Sequence, residues 1–444
     1  MRSVPAWLWI VIVVGLVLFG IPWVVWLGLD AKYSRELDRE LAKIRAAGEP
    51  LTMAEAAPRA DSPQTNAAML YLQVFQVSFD STSAAGNQNT GLNRYQTPSD
   101  WKTGDMSTAE LMRPVLADPQ CQADLRVLQQ ASLRPQCAFP VRWEVGPDAL
   151  FPHMAQMRQA TRLAAAQAML CAKDGEPDEA VDWLCTGYRM ADHASLEPTL
   201  IGQLVAIAIL AITNRAAESI FNTVDLTPAQ TARLRSAVDR LRLAERFHRA
   251  LLGERAMGLE TAERVRQEPG YLAQATGGEG AEAAVFAIMG AGVFRPYFKL
   301  EEANYLRSMT AMVQQARRPS RATLAASVEI QPGFGNMISA MLIPVLRKAS
   351  FKRDQALAEL DLLRTALELK AYRTAHGSYP PRLPVPGVTV REDVFSGKPL
   401  GYRRTDKGFV LWSVGPNLQD DGGVHPTPPG YIGEQGDIVW QGNR

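Results

Sequence analysis

The sequence predicts a mainly α-helical protein with an N-terminal transmembrane helix, an irregular helical middle domain and a small α+β domain at the C-terminus. Three observations support this fold class. The chain is uncharged and apolar between Arg2 and Asp30, most of the remaining chain has apolar residues at helical spacing, and the last part combines a long amphipathic helix with short strand-like stretches. The predicted divisions are the anchor, a stalk helix with a polar loop region, the helical domain and the C-terminal domain: 1–30, 31–107, 108–347 and 348–444.

The composition is that of a globular chain and argues against a nucleic-acid-binding protein. The 444 residues are 47% hydrophobic and 21% charged, and the formal net charge is +1. A protein that binds nucleic acid needs basic residues clustered on one surface, and the sequence has no run rich in lysine and arginine. We therefore expect no nucleic-acid partner.

Residues 6–29 form the predicted membrane anchor. This segment, AWLWIVIVVGLVLFGIPWVVWLGL, has about 24 residues, and at about 1.5 Å per residue it crosses the ~30 Å hydrocarbon core of a bilayer. Tryptophans flank it at both ends, as is typical of spanning helices, and Pro22 is expected to kink its last turns. A cleaved signal peptide would need a basic start, a shorter apolar core and a small-residue cleavage site, and none of these is clear. We therefore predict a single-pass protein of the bacterial inner membrane.

The anchor leads into a charged helix and then into a polar region. In residues 31–47, acidic and basic residues interleave at helical spacing, which predicts a solvated stalk that ends at Gly48. A short helix is expected over 70–77. Residues 78–105 are rich in Gly, Asn, Ser and Thr, which predicts a loop.

A helical hairpin and a buried helix form the centre of the predicted middle domain. Turn residues at 173–177 separate two segments with helical periodicity. Residues 200–212 are apolar around most of the helix circumference and too short to span a bilayer, which predicts the centre of the core. Cys171 and Cys185 lie on either side of the hairpin turn. Two interpretations stay open for them: a disulfide, or two small buried apolar side chains.

The second half of the middle domain begins with a clear helix start. Thr227 and Pro228 have the residue types of an N-cap and a first helical position, so a helix is expected from there to about residue 266. Residues 281–294 form an apolar stretch, which is either a buried loop and helix or a segment that contacts a membrane or a partner. Further helices are expected over 301–317 and 337–348.

One pair of residues has the spacing of a metal-binding motif. Glu245 and His248 form an E-x-x-H pair one helical turn apart, and Glu254 follows. Di-iron bundles carry two such pairs, with a further Glu from each of two other helices, whereas this chain has one pair. A solvated helix face explains it better. The sequence also has no nucleophile elbow, P-loop or H-E-x-x-H motif, so we do not expect an enzyme.

The C-terminal ninety or so residues carry an ordered series of motifs after an apolar helical stripe. The motifs are HGSYP (376–380), DVFSGKPLGY (393–402), LWSVGPN (411–417) and GDIVW (436–440). This order resembles the soluble domain of the major (G-type) pseudopilin of type II secretion, in which a helix closes with NGxYP, a DPWGxPYxY turn follows, and YSLGADG and DADIxxW come last. The resemblance implies a long helix on a short antiparallel sheet, and an association with secretion or pilus-like machinery.

The N-terminus departs from the pseudopilin pattern. Pseudopilins carry a processing site, a Gly followed by Phe, with a Glu at the fifth position of the mature helix, and this anchor has neither. About 320 residues also separate the anchor from the C-terminal motifs. We therefore expect a pseudopilin-like domain joined to a different anchor.

The same resemblance implies a calcium site in the last loop. Val414 would offer a main-chain carbonyl, Asn417 and Asp437 would offer side-chain oxygens, and Asp420 and Asp421 would complete the six to eight hard oxygen ligands that calcium takes. Asn417 stands where the family has Asp, and the lost charge implies weaker binding. The alternative is a polar loop closed by Asx turns, with no ion.

The side of the membrane on which the soluble part lies is contested within the sequence. One arginine precedes the anchor and five basic residues follow it within 31–47, so a simple count of charges places the soluble part in the cytoplasm. The pseudopilin-like domain and the cysteines favour the outside, and large domains depend less on flanking charge. We expect the periplasmic, extracytoplasmic side.

Together, these observations predict a membrane-anchored envelope protein that is a non-enzymatic structural or protein-interaction module with an unidentified protein partner. Two alternatives stay open. One is a helical scaffold that faces the cytoplasm, and the other is a metal-dependent enzyme that uses the E-x-x-H pair.

Overall fold

The computed structural model describes residues 6–79, 91–268, 271, 292–318, 333, 335–424 and 436–442. The described residues are mostly helical, with one small antiparallel sheet. The α-helices are α1 (Ala6–Gly15), α2 (Ile21–Ala46), α3 (Met53–Ala56), α4 (Ala68–Phe75), α5 (Arg113–Leu116), α6 (Pro119–Ser132), α7 (His153–Lys173), α8 (Pro177–Ser195), α9 (Leu200–Phe221), α10 (Pro228–Asp239), α11 (Leu243–Gln267), α12 (Arg295–Gln315) and α13 (Met337–His376). The strands are β1 (Gly401–Arg404), β2 (Phe409–Ser413) and β3 (Ile438–Gly442). Parts of the predicted loop 78–105 and of the apolar stretch 281–294 lie outside the described residues.

The first helix of the chain is apolar and exposed. α1 continues through one π-helical turn, Leu16–Gly20, into α2. Pro22 has no N–H and its ring crowds the carbonyl four residues earlier, which accounts for the wider turn directly upstream. Among the described residues, Val13–Ala46 and Leu200–Phe221 are long and apolar enough to cross a membrane, but the most apolar part of the second is more than half buried and that of the first is not buried at all. The N-terminal helix is therefore compatible with a single-pass anchor.

The described residues form two compact units, and each is considered by itself. Unit 1 consists of the described residues of Met1–Ala56, Leu252–Val313 and Val328–Leu346. Unit 2 consists of those of Ala57–Leu251, Gln314–Ser327 and Arg347–Arg444. The four divisions along the chain stay a prediction.

In unit 1, the stalk is not solvated all round, so that part of the prediction was wrong. Leu37 and Ile44 of α2 are 6% and 3% exposed, and Glu40 between them is 9% exposed. On this side of α2, Glu40 and Asp30 form ion pairs with Arg307 and Lys299 of α12. α12 begins at Arg295, earlier than the predicted start at residue 301.

Elsewhere in unit 1, α11 packs closely against α12. Gly258 is required at the contact, because a Cβ atom there would lie 2.1 Å from the Tyr305 hydroxyl. That hydroxyl donates to the Glu254 carbonyl at 2.9 Å. The fully buried Arg255 donates to Glu49 at 2.8 Å, which ties α11 to the end of the stalk.

The centre of unit 2 is formed by α7, α8 and α9, which pack on one another. Gly175 adopts a left-handed conformation (φ 82°) and closes the turn between α7 and α8. Gly187 of α8 lets α9 approach, since a Cβ atom there would lie 2.5 Å from the Thr213 hydroxyl oxygen. The predicted hairpin and the predicted buried helix are both confirmed, although the helix extends to Phe221.

The helix that starts at Thr227 ends earlier than predicted. Its start is confirmed, since Thr227 and Gln230 exchange side-chain to backbone hydrogen bonds in a capping box. α10 then stops at Asp239 and a separate helix, α11, follows, so the single helix predicted to about residue 266 was wrong. At the break, Arg364 of α13 donates to the Val238 carbonyl at 3.2 Å and to the Asp239 carboxylate at 3.0 Å.

α13 is one continuous helix of 40 residues with Pro344 inside it. The prediction of a separate helix over 337–348 was therefore wrong. The apolar stripe of α13 is buried in unit 2, with Leu363 and Leu367 at 0% and 1% exposure. Gly377 (φ 77°) ends the helix in the left-handed conformation usual for a helix C-terminus.

The sheet has the strand order β1-β2-β3 and both pairs are antiparallel. Leu411 in the central strand pairs with Tyr402 of β1 and Trp440 of β3. Trp440 meets Phe221 of α9 edge-on, with ring centroids 5.9 Å apart. The predicted combination of a long helix with a small antiparallel sheet is confirmed.

Candidate functional site

The buried carboxylate of Asp393 organises the loops at one end of the sheet. Asp393 is 2% exposed and accepts five hydrogen bonds between 2.6 and 3.3 Å. The donors are the hydroxyls of Ser396 and Ser413 and the backbone N–H groups of Phe395, Ser396 and Val414. Asp393 thereby fastens the turn that follows it to the end of β2. The sequence motif contains this residue, but its role was not predicted.

Asp437, a predicted calcium ligand, fastens the start of β3 in a similar way. Its carboxylate is 2% exposed and accepts the N–H of Gly423 at 2.7 Å and that of Asp421 at 3.2 Å. Burial raises the pKa of Asp437, and the charges of Asp421 and Asp420 raise it further. The local field is therefore negative, which favours a cation or a proton.

The other predicted ligand side chains lie along the same loop. Asn417 Oδ1 accepts the N–H of Gln419 at 3.2 Å, which is an Asx turn, and its amide donates to Asp421 at 3.4 Å. Asp420 Oδ1 accepts the Trp412 indole N–H at 2.8 Å and a backbone N–H two residues on at 3.0 Å. These hydrogen bonds fix the conformation of the described part of the loop.

The structure places all five predicted calcium ligands on the segment between the end of β2 and the start of β3. Val414 donates its N–H to Asp393 at 3.3 Å. In the described part of the chain, no group of three or more His, Cys, Asp or Glu side chains is placed to hold a metal ion. Residues 425–435 of this loop lie outside the described residues. Calcium would have to compete with N–H donors for Asp420 and Asp437, and its binding stays a prediction.

The histidine of the E-x-x-H pair is hydrogen-bonded to an arginine of the same unit. Arg317 Nε donates to His248 Nε2 at 2.9 Å, while Glu245 is exposed. A ring nitrogen that accepts a hydrogen bond from a guanidinium is not free to bind a metal, and the positive charge beside it disfavours one. This contact supports the solvated helix face over the metal site.

Of the two interpretations left open for Cys171 and Cys185, the structure has the second, two small buried side chains, since all four cysteines are buried free thiols. The Gln167 amide lies 3.3 Å from Cys171 Sγ. Burial raises the pKa of Cys185 to about 11 and that of Cys121 to about 12. These thiols are protonated near neutral pH, and they pack as small apolar side chains.

A buried histidine–glutamate pair in unit 2 was missed by the sequence analysis. His153 at the start of α7 and Glu197 after α8 are 0% and 2% exposed, and Nε2 lies 3.3 Å from Oε1. The imidazole stacks on Phe139 with ring centroids 4.0 Å apart. Burial and the Glu197 charge together raise the pKa of Cys137. The two residues are far apart in sequence, so no local pattern marks them as a pair.

Side chains at the C-terminal end of α9 and directly after it complete the edge of β3, a second feature that the sequence did not reveal. Glu218 accepts the N–H of Gln441 at 2.9 Å, and the Asn222 amide donates to the Gln441 carbonyl at 3.0 Å. Burial raises the pKa of Glu218 to about 7, and Glu359 contributes. A polar cleft of about 410 Å³ adjoins this contact, lined by Thr103, Gly104, Met106, Arg215, Glu218, Ser219, Asn222 and Thr223.

In unit 1, α2 and α12 meet along a charged surface directly after the anchor. Lys299 Nζ donates to Asp30 and to the Ser34 hydroxyl, both at 2.7 Å. Arg307 donates to Glu36 and Glu40, both at 3.1 Å. We call these residues the juxtamembrane seam: Asp30, Ser34, Glu36, Glu40, Lys299 and Arg307.

One carboxylate of the juxtamembrane seam, that of Glu40, is stabilised in its charged form. Burial alone would raise the pKa of Glu40, but hydrogen bonds from Lys43 and Arg307 outweigh it and lower that pKa. Hydrogen bonds to Glu36 and Glu40 raise the pKa of Arg307. The seam is therefore a set of ion pairs at neutral pH, partly shielded from solvent.

No protein-family model, curated protein or solved structure matches this chain. The contacts of its own residues therefore carry the functional inference by themselves.

Proposed function

We propose that this chain is a non-enzymatic, single-pass protein of the bacterial envelope, whose soluble part is a structural or protein-interaction module of type II secretion or a pilus-like machine. The observation that carries the proposal is the juxtamembrane seam. α2 leaves the exposed apolar helix without a break, and ion pairs along its next turns hold it to α12. The pseudopilin-like order of the C-terminal motifs supports the choice of machine.

Within unit 1, the ion pairs of the juxtamembrane seam hold α12 rigidly against the part of α2 that follows the anchor. Lys299 is 7% exposed and its ammonium bridges Asp30 and Ser34, while Arg307 bridges Glu36 and Glu40. Partly buried ion pairs are screened by salt less than exposed ones. A rigid connection between the anchor and α12 would fix the orientation of unit 1 relative to the bilayer. A scaffold requires such a fixed orientation, whereas a flexibly tethered enzyme does not.

The titratable groups of unit 2 support an interaction module over an enzyme. Asp437 and Glu218, whose pKa values are raised, each accept backbone N–H groups that fix β3. His248 accepts from Arg317. Groups used in this way hold the fold together. The metal-dependent enzyme alternative is tested by metal analysis of the purified protein, since stoichiometric iron or zinc would support it.

Orientation separates the periplasmic proposal from the cytoplasm-facing scaffold. The native thiols are buried, so Leu133→Cys, at a position 63% exposed in unit 2, introduces an accessible thiol into a low background. A maleimide that cannot cross membranes should label it once the outer membrane is permeabilised. Ser3→Cys, ahead of the anchor, is the matched control and should react only after the inner membrane is lysed. The reverse pattern would establish the cytoplasm-facing scaffold.

Partner capture tests the assigned role. The full chain, purified from native membranes after mild crosslinking, should bring down components of a secretion or pilus-like machine. Arg307→Glu, which breaks two contacts of the seam, should reduce that yield, whereas Arg318→Glu at an exposed position should not. If the unsubstituted chain captures none of these components, and neither variant does, the proposed association is rejected.

A further inference from the structure

The start of α12 lies beside the end of the anchor helix. The indole N–H of Trp26 donates to the Val293 carbonyl at 2.8 Å. Val293 belongs to a short 3-10 turn, Gly292–Phe294, that leads directly into α12. One turn further along, Lys299 meets Asp30, the first charged residue after the anchor. Both contacts lie within unit 1, and they place the short turn level with the last part of the apolar helix.

This turn exposes apolar side chains where the anchor does the same. Val293 is 71% exposed and Phe294 is 40% exposed. On the neighbouring helix, Trp23 is 61% exposed and stacks on Trp26 with ring centroids 5.4 Å apart. Trp side chains near the end of a spanning helix sit at the boundary between headgroups and acyl chains. The exposed apolar surface of the turn is therefore continuous with a surface that faces lipid.

The polar groups around the turn suit the same boundary. The Val293 carbonyl already accepts a hydrogen bond from Trp26, which lowers the cost of leaving water. Arg295 follows the apolar pair, is 58% exposed at its side chain, and lies 3.7 Å from Asp30. An exposed cation next to an apolar pair is placed to meet lipid phosphates while the apolar side chains point deeper.

We propose that Val293 and Phe294 insert into the interfacial region of the bilayer beside Trp26, which gives unit 1 a second contact with lipid. The inference rests on the proposed function in one respect, because the N-terminal helix must span the membrane. The occupant of this surface is the bilayer itself, argued from its continuity with the lipid-facing part of the anchor. With two contacts to the bilayer, unit 1 resists rotation about the anchor axis, which a single helix does not prevent.

Spin-label accessibility measures the depth of the turn directly. The full chain is reconstituted into nanodiscs of phosphatidylethanolamine and phosphatidylglycerol, and a nitroxide is attached at Val293→Cys, which keeps the Phe294 ring. Val17→Cys, in the centre of the anchor, is the control for lipid exposure. Ala311→Cys is the control for water exposure, because it lies on an exposed position of α12 about 25 Å further along the helix. The unsubstituted chain, with its buried thiols, controls for background labelling.

The label at residue 293 should be more accessible to oxygen than to a water-soluble nickel chelate, as at residue 17 and opposite to residue 311. If residue 293 behaves like residue 311 while residue 17 is in lipid, the insertion is refuted and the anchor stands. If residue 17 is accessible to the nickel chelate, the anchor itself fails and the insertion with it. A label at 293 shielded from both reagents would show a protein cover instead of lipid and would also overturn the proposal.

Discussion

Asp393→Asn should loosen the junction between the sheet and its adjoining turn. The carboxylate is 2% exposed, and its two oxygens divide the five donors between them. Oδ1 accepts from the Ser413 hydroxyl and the Phe395 N–H, whereas Oδ2 accepts from both donors of Ser396 and from the Val414 N–H. Asparagine has the same shape but replaces one acceptor with an NH₂ donor. One group of donors therefore loses its acceptor.

The magnitude depends on which side the amide nitrogen takes. It should replace Oδ1, because the Ser413 hydroxyl is able to turn and accept, whereas the Oδ2 side holds two backbone donors. The Phe395 N–H is then left buried without an acceptor, which costs about 1–3 kcal/mol, and the remaining bonds lose the contribution of the negative charge. We expect a loss of about 3 kcal/mol in the local free energy of opening, which is roughly a hundredfold in the opening equilibrium.

Hydrogen exchange followed by mass spectrometry of the full chain in nanodiscs measures this quantity locally. Peptides that cover residues 393–414 should exchange about a hundredfold faster in Asp393→Asn, if exchange is limited by the opening equilibrium. Asp406→Asn, at an exposed position between β1 and β2, is the matched control and should leave the rate unchanged. Equal exchange rates in both variants would mean that the buried carboxylate does not hold this junction.

Titration, pair deletion and calcium addition probe the rest of unit 2. The folded-state pKa of Glu218 is raised from 4.5 to about 7. Its contribution to stability is therefore fully present below pH 4.5 and is lost as pH rises through about 7. Glu218→Gln should remove that part of the pH dependence of the melting temperature. His153→Leu and Glu197→Leu should each lower stability by about 1–3 kcal/mol, and the double variant by less than the sum of the two, because each single change leaves the other buried polar group without its neighbour. Additive losses in denaturant unfolding would contradict this. Calcium at a hundredfold excess over its dissociation constant should stabilise the last loop by about 2.7 kcal/mol, Asp437→Ala should abolish the effect and Asn417→Asp should strengthen it; a melting temperature indifferent to calcium and chelator would leave the loop closed by hydrogen bonds alone.

Local signals predicted the helix starts and the coarse fold, but they did not predict where helices end. The capping box at Thr227 and Gln230 involves neighbours in sequence, so the residue types alone indicate it. The end of α10 depends instead on Arg364, which reaches the Val238 carbonyl from a helix much later in the chain. Similarly, Pro344 suggests a boundary by its own chemistry, yet α13 continues through it. Tertiary contacts decide both cases.

For the candidate site, too, local sequence signals were visible in advance and contacts between distant residues were not. The C-terminal sequence motifs drew attention to the loop that contains Asn417 and Asp437, because their order along the chain is visible in the sequence. They did not show that Asp437 accepts two backbone N–H groups, or that Glu197 lies beside His153 in the interior. Those contacts join residues that are distant in sequence and carry no periodicity. The juxtamembrane seam was likewise interpreted as a solvated helix face, since its partner Arg307 lies on another helix.

The contact between α9 and β3 constrains how a partner protein binds to this chain. An exposed strand edge is a natural place for a partner to add a strand, because its N–H and C=O groups are unpaired. At Gln441 both groups are already engaged, by Glu218 and Asn222, so a strand added there would have to displace two hydrogen bonds. Since burial raises the pKa of Glu218 to about 7, the charged carboxylate is the less stable form at this site, and the contact is hardest to displace at pH values below about 7. Strand addition at this part of β3 is therefore disfavoured, and the small sheet is held as part of unit 2, with its outer edge closed by Glu218 and Asn222 at this residue.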